Sequence, residues 1–267
     1  MSRARRLLEQ AQTAFRTGIR DFRGLYTWRS WLFGWFARLM TQALFFTSFG
    51  YWLGSRATVR YMAVGNTTVL VCMESLAVIP LLLGERYMGT FSLHVAAPAS
   101  FVLTYFARNF YCPLIGVLSS TFGFFVVATA FGVRLGGPYV AWVPVLTALI
   151  GLSAYSFGFA VGAIVLSLPS FSMVALNLSY LSLMAFCGVN VPVSYWPAAV
   201  RGVADILPLT HGLLALRELL AGAPAAWIWR DCALEAAVGL GWLAVAVAVL
   251  QYYASASRRT GNIQLTA

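Results

Sequence analysis

Long apolar runs constrain this chain more than any other feature. Six of them, at residues 31–53, 61–83, 110–133, 139–166, 171–191 and 233–253, read as spans. A helix needs about 20 apolar residues to cross a bilayer. With 60% hydrophobic residues, 10% charged residues and a mean hydropathy of +0.78, the chain carries more apolar surface than a soluble core of this size requires. Inside hydrocarbon, every backbone N–H and C=O needs a partner within the protein, which leaves helices or a closed barrel. A barrel would show alternating segments of about ten residues, and these runs do not alternate. The expected fold is all-α and integral to the membrane: one domain over residues 1–267, with six transmembrane helices across 31–253. Nothing outside the spans is long enough to fold alone.

The first 30 residues read as an amphipathic helix on the inner membrane face. Leu7, Leu8, Ala11, Phe15, Ile19 and Phe22 fall at helical spacing, and arginines fill much of the remaining surface. Anionic lipid heads would hold such a helix in the interface. It has no apolar core or small-residue cleavage site of the kind a removable signal carries.

All 18 basic residues are arginine, and their distribution sets the orientation. With the N-terminus in the cytoplasm, twelve fall on that side: Arg3, Arg5, Arg6, Arg16, Arg20, Arg23, Arg29, Arg38, Arg86, Arg108, Arg258 and Arg259. Six fall outside: Arg56, Arg60, Arg134, Arg201, Arg217 and Arg230. Both termini, including the tail at 254–267, are then expected in the cytoplasm, in an inner or plasma membrane.

Composition also excludes function classes. A Walker A loop needs a lysine on the nucleotide phosphates, and this chain has none. It is therefore expected to bind no cofactor of its own. Its positive charge is spread between spans rather than gathered in a patch, which argues against nucleic acid. Cys72, Cys112, Cys187 and Cys232 are scattered singly and read as small packing residues, not as a disulfide or zinc framework. No nucleophile elbow, zinc-protease motif or paired acids at helical spacing occurs, so no catalytic residue and no metal ligand is assigned.

Two polar stretches interrupt the apolar pattern. Gly84 to Pro98, GERYMGTFSLHVAAP, follows the second span and falls on the arginine-rich side. Beyond the fifth span lies GVNVPVSYWP at 188–197, then LPLTHGLLALRELLAG at 207–222. Prolines divide that second region. Its one helical piece, about three turns, is too short to cross, which fits helices that dip into the outer leaflet and return.

These two stretches, in this order and in these loops, resemble ABC-2 type transporter permeases. ERYMGT at 85–90 is similar to the family's E-R-x-x-G-T run, and the proline-bounded segments are similar to its pattern after span 5. The resemblance implies six spans, an N-terminal interface helix, a cytoplasmic coupling helix and short re-entrant outer helices. It further implies a second permease subunit, identical or paralogous, and two cytoplasmic ABC ATPase subunits that use ATP and Mg. Glu85, Arg86, Gly89, Thr90, Phe91 and His94 would form the ATPase-coupling segment, and Pro192, Trp196, Pro197, Pro208 and His211 the outer re-entrant gate. The acid common soon after Gly-Thr is missing here. The first span also lacks the basic, tyrosine-rich start of many polysaccharide exporters, which points toward export of an amphipathic drug or antibiotic. Export of a lipid-linked glycan or polysaccharide is the runner-up, with a membrane-embedded lipid enzyme or a secondary transporter further off.

Glu74 is expected to be the acid deep in a span. An ionisable group there faces protein or a wet cavity. Two readings stand: a cavity residue that meets cargo, or a helix–helix hydrogen bond. Asn66, Thr67 and Thr68 on the same span, and Asn177 and Tyr180 on span 5, are candidates to line the same route. Gly158 and Gly162 form a GxxxG pair that reads as close helix packing. His211, with no second histidine nearby, reads as a hydrogen-bonding residue.

Overall fold

The computed structural model describes residues 3–89, 100–132 and 138–260. No strand occurs among them. Helix α1 covers Arg3–Leu25. A seven-residue π-helix, Ser30–Phe36, leads without a break into α2, Ala37–Trp52. The second span is α3, Arg56–Leu76, plus α4, Val78–Tyr87. The third is α5, Phe101–Arg108, plus α6, Tyr111–Ala130. The fourth and fifth are α7, Val143–Ile164, and α8, Ser172–Phe186. After the short α9, Ala198–Ile206, and α10, Thr210–Ala221, the last span is α11, Ala225–Thr260.

Five segments are each long and apolar enough to cross a membrane: 56–87, 101–130, 140–167, 169–186 and 225–256. The first predicted span is divided between the π-helix and the 16-residue α2. The α9–α10 pair bends by 88°.

The ends of the spans differ from expectation for local reasons. Pro80 removes the N–H that would reach the Leu76 carbonyl, so the second span breaks at Ala77. Pro113 does the same to Asn109 and divides the third span. The fifth helix stops at Phe186 because Gly188 turns the chain at a φ of 79°, which favours glycine. The sixth begins at Ala225, directly after Pro224, rather than at 233. Trp227, Trp229 and Arg230 therefore belong to the helix and not to the preceding loop.

The bundle is organised around α3. Every residue from Ala63 to Leu76 is buried. Neighbours reach it because small residues admit them. A Cβ on Gly116 of α6 would lie 3.0 Å from the Val71 carbonyl oxygen, and one on Gly151 of α7 would lie 2.6 Å from Val71 Cγ2. Gly158 and Gly162 face the α3–α4 span of the same chain: their Cβ atoms would meet Val78 at 3.0 Å and Leu82 at 3.2 Å. The GxxxG pair is thus an internal packing seam. Helices α8 and α11 lie at the edge, with only 28% and 22% of their apolar windows buried, which leaves their remaining faces for lipid or another subunit.

The Gly158 contact is testable. Gly158→Val forces α7 away from Leu76 and Val78 and should cost about 1–3 kcal/mol, as overpacking does. Gly241→Ala, with nothing within 4 Å of the new Cβ, should be tolerated. Thermal melting followed by size-exclusion fluorescence checks the pair, and equal melting temperatures would refute the seam.

Candidate functional site

Below the point where α2 meets α8, the helices part and leave a half-open cavity of about 380 Å³. The meeting point is polar: Gln42 Nε2 donates to the Tyr180 hydroxyl at 2.8 Å and approaches Met184 Sδ at 3.1 Å. The cavity is lined by several elements, among them Tyr111 and Ile115 of α6. Phe22 and Tyr26 come from the end of α1 and its linker, Trp31 and Trp35 from the π-helix, Glu74 and Pro80 from the broken second span, and Asn177 from α8. Local sequence explains the geometry. The π-helix widens the turn that carries both tryptophans, a form that recurs at functional positions. The residues at the proline break, Ala77, Pro80 and Leu81, line the cavity next to Glu74.

Glu74 is 7% exposed. Ser119 Oγ donates to its Oε1 at a long 3.3 Å, and the Trp35 indole is its other hydrogen-bonding neighbour. Among the described residues no basic side chain pairs with it. Arg38, also on the cavity, stacks over the Trp35 ring at 5.0 Å. The Tyr26 phenol feels both charges: burial raises its pKa above the ordinary value, Glu74 adds to this, and Arg38 opposes it.

A second cluster joins three helices at the end of the bundle that carries α1. The Arg108 guanidinium, at the end of α5, pairs with Asp21 of α1 at 2.7 Å and with Glu85 of α4 at 2.5 Å. Arg108 and Glu85 are largely buried, while Asp21 is 42% exposed. The backbones also touch, since a Cβ on Gly18 would fall 1.7 Å from the Arg108 carbonyl oxygen. Gln10 adds hydrogen bonds to the Ser100 carbonyl at 2.9 Å and to Thr104 Oγ1 at 2.7 Å. Arg86 reaches across to the Leu166 carbonyl at 2.5 Å, satisfying an end carbonyl of the fourth span.

A third cluster holds the opposite end. Arg217 of α10 donates to the carbonyls of Gly188, Tyr61 and Val189 at 2.8, 3.2 and 3.2 Å, and it sits 3.4 Å over the Tyr61 ring. The fit leaves no room for a side chain at Gly65, whose Cβ would lie 2.2 Å from the Val189 oxygen. Glu235 of α11 is fully buried, and its two oxygens accept from the Leu209 and Gly212 amides, both at 2.9 Å. Glu235 and the equally buried Asp231 both lie inside the last span, which corrects the expectation that Glu74 stood alone. The expected span began at 233 and so left Glu235 at its edge.

The predicted site residues fall in separate places. Glu74 and Asn177 share the cavity. Asn66 is buried and bonds Asn190 at 2.8 Å, within the Arg217 cluster's neighbourhood. The Thr67 hydroxyl turns back to the Ala63 carbonyl at 2.7 Å, and Tyr180 is held by Gln42. Glu85 and Arg86 lie in the last turns of α4 rather than in a separate helix, and Gly89 follows at a φ of 69°. Thr90, Phe91 and His94 lie outside the described residues. Pro192 and Trp196 flank the turn before α9, Trp196 packs edge-on to Phe186 at 6.0 Å, and Pro197 precedes the first residue of α9. The Pro208 carbonyl faces Cys187 Sγ at 3.5 Å, and His211 Nε2 lies 3.1 Å from the Asp205 carbonyl, where it braces the α9–α10 bend. Arg108 and Glu235 were missed as individual sites. The only available signal was a charged residue close to the end of an apolar run.

The described residues form a multi-pass helical membrane bundle with a half-open cavity and charged helix junctions at both ends. The sequence pattern of the ABC-2 type transporter family matches residues 20–221, three quarters of the chain. The chain therefore belongs to the ABC-2 type transporter family. A comparison with curated proteins finds no match. The family's membrane domain is a transport permease and has no ATPase site of its own.

The Arg108 junction predicts an order of variants. Arg108→Gln leaves both acids without their partner and should cost about 3 kcal/mol, the lower end for breaking a buried pair. Glu85→Gln should cost less, because Asp21 still pairs with the cation. Asp21→Asn, at the exposed end, should cost under about 1 kcal/mol. Melting temperatures in one detergent test this order.

Proposed function

We propose that this chain is the membrane-spanning subunit of an ATP-driven exporter and that its cargo is an amphipathic small molecule received in the cavity beside Glu74. The observation that carries this reading is the cavity itself. Its walls are largely aromatic and aliphatic, and a nearly buried carboxylate sits among them without a basic partner from the described residues. A purely structural acid is expected to have its oxygens fully used, as Glu235 does.

The chain has no lysine for a Walker A loop, so uphill transport needs a partner. Two cytoplasmic ABC ATPases, with ATP and Mg, fit at the α1 end of the bundle, where the arginines concentrate and α4 terminates. Both termini then lie in the cytoplasm. A second permease, identical or paralogous, completes the pair against a poorly covered edge. In this arrangement the ATPases act on the segment from Glu85 through the residues after Gly89. Because the described side chains of Glu85 and Arg86 are used within the chain, their role is to pass movement to α5, α1 and the end of span 4.

Purification from native membranes with mass analysis of the intact complex tests the assembly; a chain that purifies without an ATPase would sink it. For the cavity, Glu74→Gln should leave assembly and basal ATP hydrolysis intact and abolish stimulation by amine-bearing amphiphiles. If stimulation persists and only Glu74→Leu lowers yield, Glu74 is a packing residue.

The α9–α10 pair is proposed as a re-entrant outer gate. Single cysteines from Ala198 to Leu219, in a cysteine-free background, should react slowly with an impermeant reagent along the buried α10 face, at Leu213, Ala215, Leu216 and Leu219. They should react fast at Arg201 and Val203, which are exposed. Uniform fast labelling would show a solvated loop instead.

A further inference from the structure

We propose that the cavity beside Glu74 selects an amphiphile whose head carries both an ammonium and an anionic group. This rests on the cavity being the cargo site and adds the chemistry of what it takes. The cavity presents one charge of each sign from different helices. Glu74 projects from α3, nearly buried, with no basic partner among the described residues. Arg38 projects from α2, exposed, with its guanidinium over Trp35 and no carboxylate partner among the described residues. Tyr26 lies within electrostatic reach of both.

The two charges share a site without forming an ion pair, so each is open to a ligand. A simple organic cation drawn to Glu74 also meets Arg38. A simple anion drawn to Arg38 meets Glu74. A head bearing both signs pairs each charge once and leaves neither repelled. The remaining wall suits the same ligand. Tyr26, Trp31 and Tyr111 line the cavity as well, and aromatic rings attract an ammonium most strongly when water is excluded. The apolar residues Met173, Leu176 and Ile115 take an alkyl or aryl body. The described geometry fits a zwitterionic lipid head and a zwitterionic small amphiphile alike.

The test uses three probes with one tail and different heads: dodecylphosphocholine, dodecyltrimethylammonium and dodecyl phosphate. Each competes with tritiated dodecylphosphocholine for the purified full chain in discs of phosphatidylglycerol, read by scintillation proximity. The zwitterion should compete at least about tenfold better than either singly charged probe. In Arg38→Gln the trimethylammonium probe should come within about threefold of the zwitterion, and in Glu74→Gln the phosphate probe should do so. Ala77→Trp, or Leu81→Trp where the first lowers yield, fills the cavity and should abolish binding. Competition by phosphatidylethanolamine added to the discs would assign the ligand to the bilayer. Competition by glycerophosphocholine would assign it to the aqueous phase, and either keeps the zwitterionic head. If all three probes compete equally and the tryptophan variants still abolish binding, the head-group proposal falls and the cargo cavity stands. If the tryptophan variants bind normally, or no probe binds saturably, both readings fall.

Discussion

Helix α3 is buried on every side for fourteen consecutive positions, Ala63 to Leu76, and the rest of the bundle depends on how that burial is achieved. A helix in such a position has no solvent or lipid to accept its polar side chains. Its threonines therefore turn inward: Thr67 and Thr68 donate to the carbonyls of Ala63 and Val64, both at 2.7 Å. Its neighbours must approach closely, because dispersion contacts and not water exclusion hold helices together in hydrocarbon. That is why Gly116, Gly151, Gly158 and Gly162 all point at the α3–α4 span.

Against this background Glu74 and Glu235 are opposites. Glu235 accepts from two backbone amides at the start of α10. Leu209, with a φ of 91°, sits at the 88° bend between α9 and α10, and the two bonds fasten that bend to α11. Glu74 has one long hydrogen bond from Ser119, the Trp35 indole and a cavity. The same side chain is a structural pin on α11 and, on α3, a carboxyl group beside open space.

How much of this was legible in the sequence follows from the range of each interaction. Apolar runs are local, so the all-helical membrane fold could be read directly, and five of the six expected runs recur as helices long and apolar enough to cross; the first does not, because it is divided between the π-helix and α2. Proline and glycine act over a few residues. They explain where the spans end, but the break at Ala77 was not anticipated, because Pro80 sits inside an otherwise uniform apolar run. The Arg108 junction joins residues 21, 85 and 108, and nothing in a single sequence pairs them. Arg108 was visible only as one more arginine on the inner side. Asn66 and Thr67 show the same limit of range. Their polarity was visible, but their hydrogen-bond partners, within α3 or at Asn190, were not.

The placement of the proline break gives the proposed exporter its geometry. Glu85, at the charged junction, and Glu74, at the cavity, lie on the same span, about 16 Å apart at a rise of about 1.5 Å per residue. Between them, Ala77 and Pro80 interrupt the hydrogen-bond ladder, and Ala77, Pro80 and Leu81 themselves line the cavity. Helix α3 is packed on all sides, and α4 is held both by α7 at Val78 and Leu82 and, through Glu85 and Arg108, at the charged junction. Under the proposed function, a displacement at that junction reaches the cavity through this interrupted stretch, because the same residues form the wall beside Glu74.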